Sequence, residues 1–358
     1  MFSALPVTAL VAIFAVSAAV IWFAGVMLAD TTDILSSRLG LGAALGGVIV
    51  LAIATNLPEI AITVSAAMER NLGVAVGNIL GGIAIQTVVI AAMDFAMKEQ
   101  VPLTHRAASL TLVIEGVLVI AVLIVAIMSA QMPGTLIAAR MTPGAILIAL
   151  MWVGGVWLTN RASQGLPWHE SSGNAPGAQE KPKGHSKVAK DRAVKDRPSL
   201  YYAAIFLGAA VATLIAGVLL ERSGSTIADR IGMSGVLFGA TVLAAATALP
   251  ELSTGITSVR MKDYQLAVSD IFGGNAFLPV LFLLAVVISG DAVLPHAQAS
   301  DIYLAGLGIL LTCVYVAGLI FRPKRQLMRM GVDSLAVLIL YLVGIGGLFA
   351  IGATHTVR

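Results

Sequence analysis

Glu59 and Glu251 each follow a proline and each stand four residues after a threonine, in Ala54-Thr55-Asn56-Leu57-Pro58-Glu59 and Ala246-Thr247-Ala248-Leu249-Pro250-Glu251. On a helix, positions i and i+4 share a face, so each pair presents a hydroxyl and a carboxylate to the same side. Proline has no N–H, so Pro58 leaves the carbonyl of Ala54 without its helical donor, and Pro250 does the same for Ala246. A third acid, Asp270, and an amide, Asn78, complete an inventory made entirely of oxygen. Carboxylates, carbonyls, amides and hydroxyls are ligands for hard cations such as Ca²⁺ or Na⁺, whereas zinc or copper would call for thiolate or imidazole.

All three acids fall inside apolar stretches, and no Lys, Arg or His lies at comparable depth. An ionised carboxylate at that depth costs at least about 2.5–3.5 kcal/mol and is functional by default. Its partner must then be an ion from solution or a proton. Three ionised carboxylates match the charge of three Na⁺ but exceed that of one Ca²⁺. Charge counting therefore assigns Asp270 a proton while Ca²⁺ is bound. Glu115 has no counterpart in the second half, where residue 307 is Leu, and it reads as a local hydrogen-bond partner.

The elements that must position these groups are membrane spans. Of the 358 residues, 58% are hydrophobic and 11% charged, and the mean hydropathy is +0.94. A soluble chain carries about a quarter charged residues, so this surface is built for lipid. Ten segments approach the roughly 20 apolar residues a spanning helix needs, near 4–29, 42–68, 73–94, 107–130, 142–160, 199–220, 233–259, 264–289, 300–321 and 333–353. The fold class expected is therefore all-α integral membrane. The first segment lacks a preceding Lys or Arg and exceeds a signal-peptide core, so it reads as a retained span. Residues 161–198, rich in Gly, Pro, Ser, Lys and Arg, read as a cytoplasmic linker.

With that linker inside and both termini outside, 17 basic residues face the cytoplasm and five (Arg70, Arg140, Arg222, Arg230, Arg358) face out, as the positive-inside rule requires. The pI of 9.1 thus reflects topology in a cell or inner membrane, and no nucleic-acid partner is expected. The single Cys313 excludes an internal disulfide. No metalloprotease, hydrolase or phosphate-loop motif is present, so no enzyme is expected and no cofactor is required.

The two Thr-x-Leu-Pro-Glu motifs lie 192 residues apart, and the same ungapped shift carries Val76-Gly77-Asn78-Ile79-Leu80-Gly81-Gly82 onto Val268-Ser269-Asp270-Ile271-Phe272-Gly273-Gly274. The chain divides into a first repeat at 1–160, the linker at 161–198 and a second repeat at 199–358. Five spans is an odd number, so the two halves must be inverted, as in secondary transporters whose site lies between repeats near the midplane. Both repeats sit in one chain, so a monomer suffices to complete the site. Gly73, Gly77 and Gly81, with Ser269 and Gly273 in the second copy, form small faces that let helices approach closely. A cation channel is the main non-transporter alternative. Channels, however, share a filter between subunits, whereas two inverted repeats enclose their own site.

At these motifs the sequence resembles the sodium/calcium exchanger membrane family within the cation/calcium antiporter superfamily. The resemblance is specific at about 45–95 and 237–287. It implies Ca²⁺ exchange for Na⁺ or H⁺ by alternating access, with spans one and six sliding over four clustered cation sites. The ligands it implies are Thr55, Asn56, Glu59, Asn78, Thr247, Glu251 and Asp270, with backbone oxygens of Ala52 and Ala244. The family's serine after the threonine is replaced by Asn56 and Ala248. The serine one turn before the Asn or Asp is replaced by Val74 and Leu266. Those losses thin out the groups that would hold peripheral Na⁺ and bring H⁺ forward as the competing coupling ion.

Overall fold

The computed structural model describes residues 2–38, 48–97, 99–135, 140–163, 197–232, 238–260 and 262–355. Most of the expected linker, at 164–196, lies outside the described residues, as do 39–47 and 233–237 at the starts of the second and seventh expected spans. The described chain is helical apart from a short hairpin, β1 (Gln326–Leu327) and β2 (Met330–Gly331).

The helices repeat with the sequence. α1 (Val7–Arg38) corresponds residue for residue with α8 (Ser199–Arg230) at a shift of 192. α2 (Val48–Thr55) and α3 (Leu57–Met68) correspond with a π-helical turn (Gly239–Leu243), α9 (Ala244–Thr247) and α10 (Leu249–Arg260). α4 (Leu72–Ala96) and α11 (Tyr264–Phe277) begin at equivalent residues, and a 3₁₀ turn links α11 to α12 (Leu281–Ser289). The short α5 (Leu103–Ala107) precedes α6 (Leu110–Ala130) and α7 (Pro143–Ser163), whose counterparts are α13 (Ala299–Phe321) and α14 (Val332–His355). Even the turn after each broken helix is reproduced. Arg70 and Lys262 take left-handed φ of 57° and 62°, and Asn71 and Asp263 donate their N–H to Ala66 and Ser258 at 2.8 and 2.9 Å.

Eight described helices, α11 with α12 counting as one, are long and apolar enough to span a membrane. The second and seventh expected spans are broken at the two proline motifs, where the sequence already removes a helical donor. Asn56 separates α2 from α3, and Ala248 separates α9 from α10, where residues 241–247 and 249–260 diverge by 48°. The cause is local. Proline two residues past each break supplies no donor, and its ring crowds the preceding turn.

The broken helices sit between two layers. On one side is the main core, built by α4, α6, α11, α12, α13 and α14 around Ile83, Phe272, Phe282 and Tyr315. On the other, α1 and α8 run along each other and cover the breaks through two smaller clusters, around Ile21, Ile62 and Leu220 and around Leu28, Ala54 and Ala209. The coverage crosses between repeats, with α1 lying on α10 and α8 on α3. A Cβ on Gly25 would fall 2.7 Å from Cβ of Pro250. One on the equivalent Gly217 would fall 3.3 Å from Cα and the carbonyl oxygen of Pro58. Only glycine lets these two helices run this close over the prolines.

Candidate cation-binding site

Thr55, Asn56, Glu59, Asn78, Thr247, Glu251 and Asp270 are all buried, none more than 2% exposed. The first three flank the break between α2 and α3. Thr247 and Glu251 flank the second break, and Asn78 and Asp270 face the breaks from α4 and α11. Asn78 donates from Nδ2 to the carbonyl of Glu59 at 3.5 Å. A carboxylate cannot repeat that donation. In the second repeat the Thr254 hydroxyl stands between the groups, 2.7 Å from Oδ2 of Asp270 and 3.2 Å from the carbonyl of Glu251.

The two repeats meet on one side chain that the motif analysis did not single out. Gln86 on α4 places Nε2 3.1 Å from Oδ1 of Asn56, 3.2 Å from Oε1 of Glu251 and 3.5 Å from Oε1 of Glu59. All three neighbours are acceptors, so the amide nitrogen, not its oxygen, must point here. Gln86 therefore joins the two glutamates across the repeat boundary. Thr247 approaches Glu59 from the opposite repeat, and Glu251 lies within electrostatic range of both Glu59 and Asp270. Gly274 makes the approach possible, since a Cβ there would fall 2.8 Å from Nδ2 of Asn56.

Several oxygens in this region accept no hydrogen bond from the described residues: one each of Glu251, Asn78 and Gln86. Buried polar atoms are normally paired, so unfilled acceptors beside carboxylates mark a place for a positive guest. The backbone oxygens of Ala52 and Ala244 are already engaged. Ala52 accepts from Nδ2 of Asn56 at 2.7 Å and from the Asn56 N–H and the Thr55 hydroxyl at 3.3 Å, and Ala244 accepts from the Ala248 N–H at 3.0 Å and the Thr247 hydroxyl at 3.2 Å. The single Thr247 hydroxyl proton is shared between the Ala244 carbonyl and the carboxylate of Glu59. Among the described residues, no three carboxylate, imidazole or thiolate groups converge on a single point. A cation held here would need neutral oxygens as well as the acids.

Gln86 and Thr254 escaped the sequence reading for one reason. Their counterparts at the 192-residue shift are Leu278 and Ile62, so a comparison of the halves gives them no weight. The available signals were positional, with Gln86 lying eight residues beyond Asn78 on one helix and Thr254 three beyond Glu251. Glu115 does make the expected local hydrogen bond, accepting from the Ser269 hydroxyl at 2.7 Å. It also lines a small open cleft whose wall includes Ala52, Phe272 and Gly273.

Two copies of a proline-broken helix, carrying buried acids to a common point inside an apolar bundle, define a membrane transport protein of the two-repeat kind. The chain belongs to the sodium/calcium exchanger protein family, whose model matches residues 9–159 and 201–349, one segment in each half. It is 25% identical over 298 residues to inner membrane protein YrbG of Escherichia coli, covering 82% of this chain and 83% of that protein. Its fold is similar to the H⁺/Ca²⁺ exchanger CAX, with a TM-score of 0.65 and 12% identity over 96% of this chain and 85% of the other. It is also similar to the sodium-calcium exchanger NCX_Mj, with a TM-score of 0.60 and 14% identity over 95% of this chain and 99% of the other.

Proposed function

We propose that this protein is a secondary antiporter that exchanges Ca²⁺ for Na⁺ or H⁺ across a cell membrane by alternating access. The observation that carries the reading is the meeting of Glu59 and Glu251, one from each repeat, on the amide of Gln86 at the breaks of the two proline-interrupted helices. Two buried acids held together by a neutral amide, with no cationic side chain in their hydrogen-bond set, suit a site that a hard cation fills and leaves. The known exchangers among its structural neighbours support the same reading.

In this reading each repeat contributes five spans, counting each broken helix as one, and the repeats are inverted. The termini lie outside and residues 161–198 are cytoplasmic, as the distribution of Lys and Arg favours. Thr55, Asn56, Glu59, Asn78, Thr247, Glu251 and Asp270 hold the transported ion, with the carbonyls of Ala52 and Ala244 behind the threonines. α1 and α8 cover the prolines through glycine contacts, and their sliding switches access. One chain completes the site. The lipid bilayer and the transported cations are its partners, and no cofactor takes part.

Proton coupling is the second reading. It is favoured by Val74, Ala248 and Leu266, which place apolar side chains where further Na⁺ oxygens would stand. The experiment is Ca²⁺ flux in proteoliposomes under an imposed Na⁺ gradient and, separately, under a pH gradient in nominally Na⁺-free buffer. Flux that saturates and requires a counter-ion gradient is the expected result, and the gradient that drives it names the coupling ion. Ca²⁺ flux that needs neither gradient, or none at all, refutes the antiport reading.

A further inference from the structure

Two buried carboxylates outside the central set occupy related places in the two repeats. Gly77 and Ser269 are equivalent residues at the 192-residue shift, each immediately before a site residue, Asn78 or Asp270. Glu115 of α6 accepts the hydrogen bond of Ser269. Asp301 of α13 faces Gly77, with Oδ1 3.7 Å from the point a Cβ there would occupy. Helices α6 and α13 are themselves repeat mates, so each repeat brings an acid, from the same neighbouring element, to the same position of the other repeat's site helix. Aligning the halves hides this, because Glu115 aligns with Leu307 and Asp301 with Ser109. The charges come from different turns of equivalent helices.

Glu115 is 6% exposed and Asp301 1%, and neither takes part in a salt bridge among the described residues. Asp301 does cap its helix, but with one oxygen only. Oδ2 accepts the Gln298 N–H at 2.8 Å, while Oδ1 accepts no hydrogen bond from the described residues and is directed at α4. Capping explains one oxygen and leaves the other without a purpose. Glu115 spends Oε2 on Ser269 and lines the cleft that reaches Ala52 and Gly273, beside the polar groups of Thr159 and Asn160. An acid buried in an apolar bundle without a cationic partner is costly to keep.

We propose that Glu115 and Asp301 are way-station carboxylates on the two access routes, each holding a hard cation in transit on one side of the central site. The proposal rests on the antiport reading above, in which α6 starts at the cytoplasmic face and α13 at the outer face. Glu115 then serves the cytoplasmic route and Asp301 the outer one. Two inverted repeats make this the natural outcome, since one device copied into both halves ends up once on each side of the membrane.

The test is ⁴⁵Ca²⁺ uptake by inside-out and right-side-out membrane vesicles. Glu115→Gln should raise the half-saturating Ca²⁺ concentration at the cytoplasmic face roughly tenfold, the effect of one moderately coupled charge, with the outer face within about twofold. Asp301→Asn should do the reverse, and it keeps the capping oxygen, so folding is preserved. Glu115→Asp and Asp301→Glu retain the charge and should stay near the parent protein. Unchanged half-saturation in both variants, or equal shifts at both faces, overturns the proposal even if Glu59→Gln still abolishes flux. Loss of the antiport reading is a separate result, seen as Ca²⁺ flux in the parent protein that needs no counter-ion.

Discussion

Replacing Gln86 with Leu should destabilise the ion-free protein and tighten its hold on Ca²⁺. The side chains are similar in size, so packing in α4 is kept and the change is confined to the amide. That amide nitrogen carries two protons and faces three acceptors, at 3.1, 3.2 and 3.5 Å. The two shorter contacts, to Asn56 and Glu251, use both protons. A hydrogen bond to a charged acceptor contributes about 1.5–3 kcal/mol and a neutral one about 0.5–1.5, so the variant should lose about 2–4 kcal/mol in the empty state. With Ca²⁺ bound, the ion neutralises the carboxylates and the amide is no longer needed to hold them together. Destabilising only the empty state by that amount should tighten Ca²⁺ binding by at least about tenfold. Thermal melts of the detergent-solubilised protein with and without Ca²⁺, together with equilibrium ⁴⁵Ca²⁺ binding, measure both quantities. A melting temperature equally depressed with and without Ca²⁺, or weaker Ca²⁺ binding in the variant, would refute the view that Gln86 stands in for the cation.

Glu59→Gln and Glu251→Gln should each abolish Ca²⁺ flux while leaving a monodisperse, membrane-inserted protein, because Gln keeps the volume and removes the charge; near-normal flux from either purified variant would remove both residues from the site. Gly25→Ala should slow exchange more than Gly217→Ala, since its methyl would sit 2.7 Å from Pro250 while the other meets Pro58 at 3.3 Å. Overpacking of this kind costs about 1–3 kcal/mol, and initial rates at saturating Ca²⁺ for the two variants decide the order.

Much of this protein was legible in its residues. The hydropathy pattern marks the membrane helices, because lipid demands apolar runs of a set length whatever the fold. The paired Thr-x-Leu-Pro-Glu motifs reveal the repeat, since a duplicated constraint leaves a duplicated pattern. The same proline that marks the motif also breaks the helix, so the breaks in the second and seventh spans are legible at Pro58 and Pro250, although where each helix stops and restarts is not. What the sequence could not supply is which side chains meet across the boundary between the halves. Gln86 and Thr254 stand opposite Leu278 and Ile62 in the repeat, and Glu115 and Asp301 stand opposite Leu307 and Ser109. Self-comparison finds residues that both halves share. The contacts that join the halves, or that reach equivalent points from different turns, depend on helix rotation and crossing, which only the packed bundle fixes.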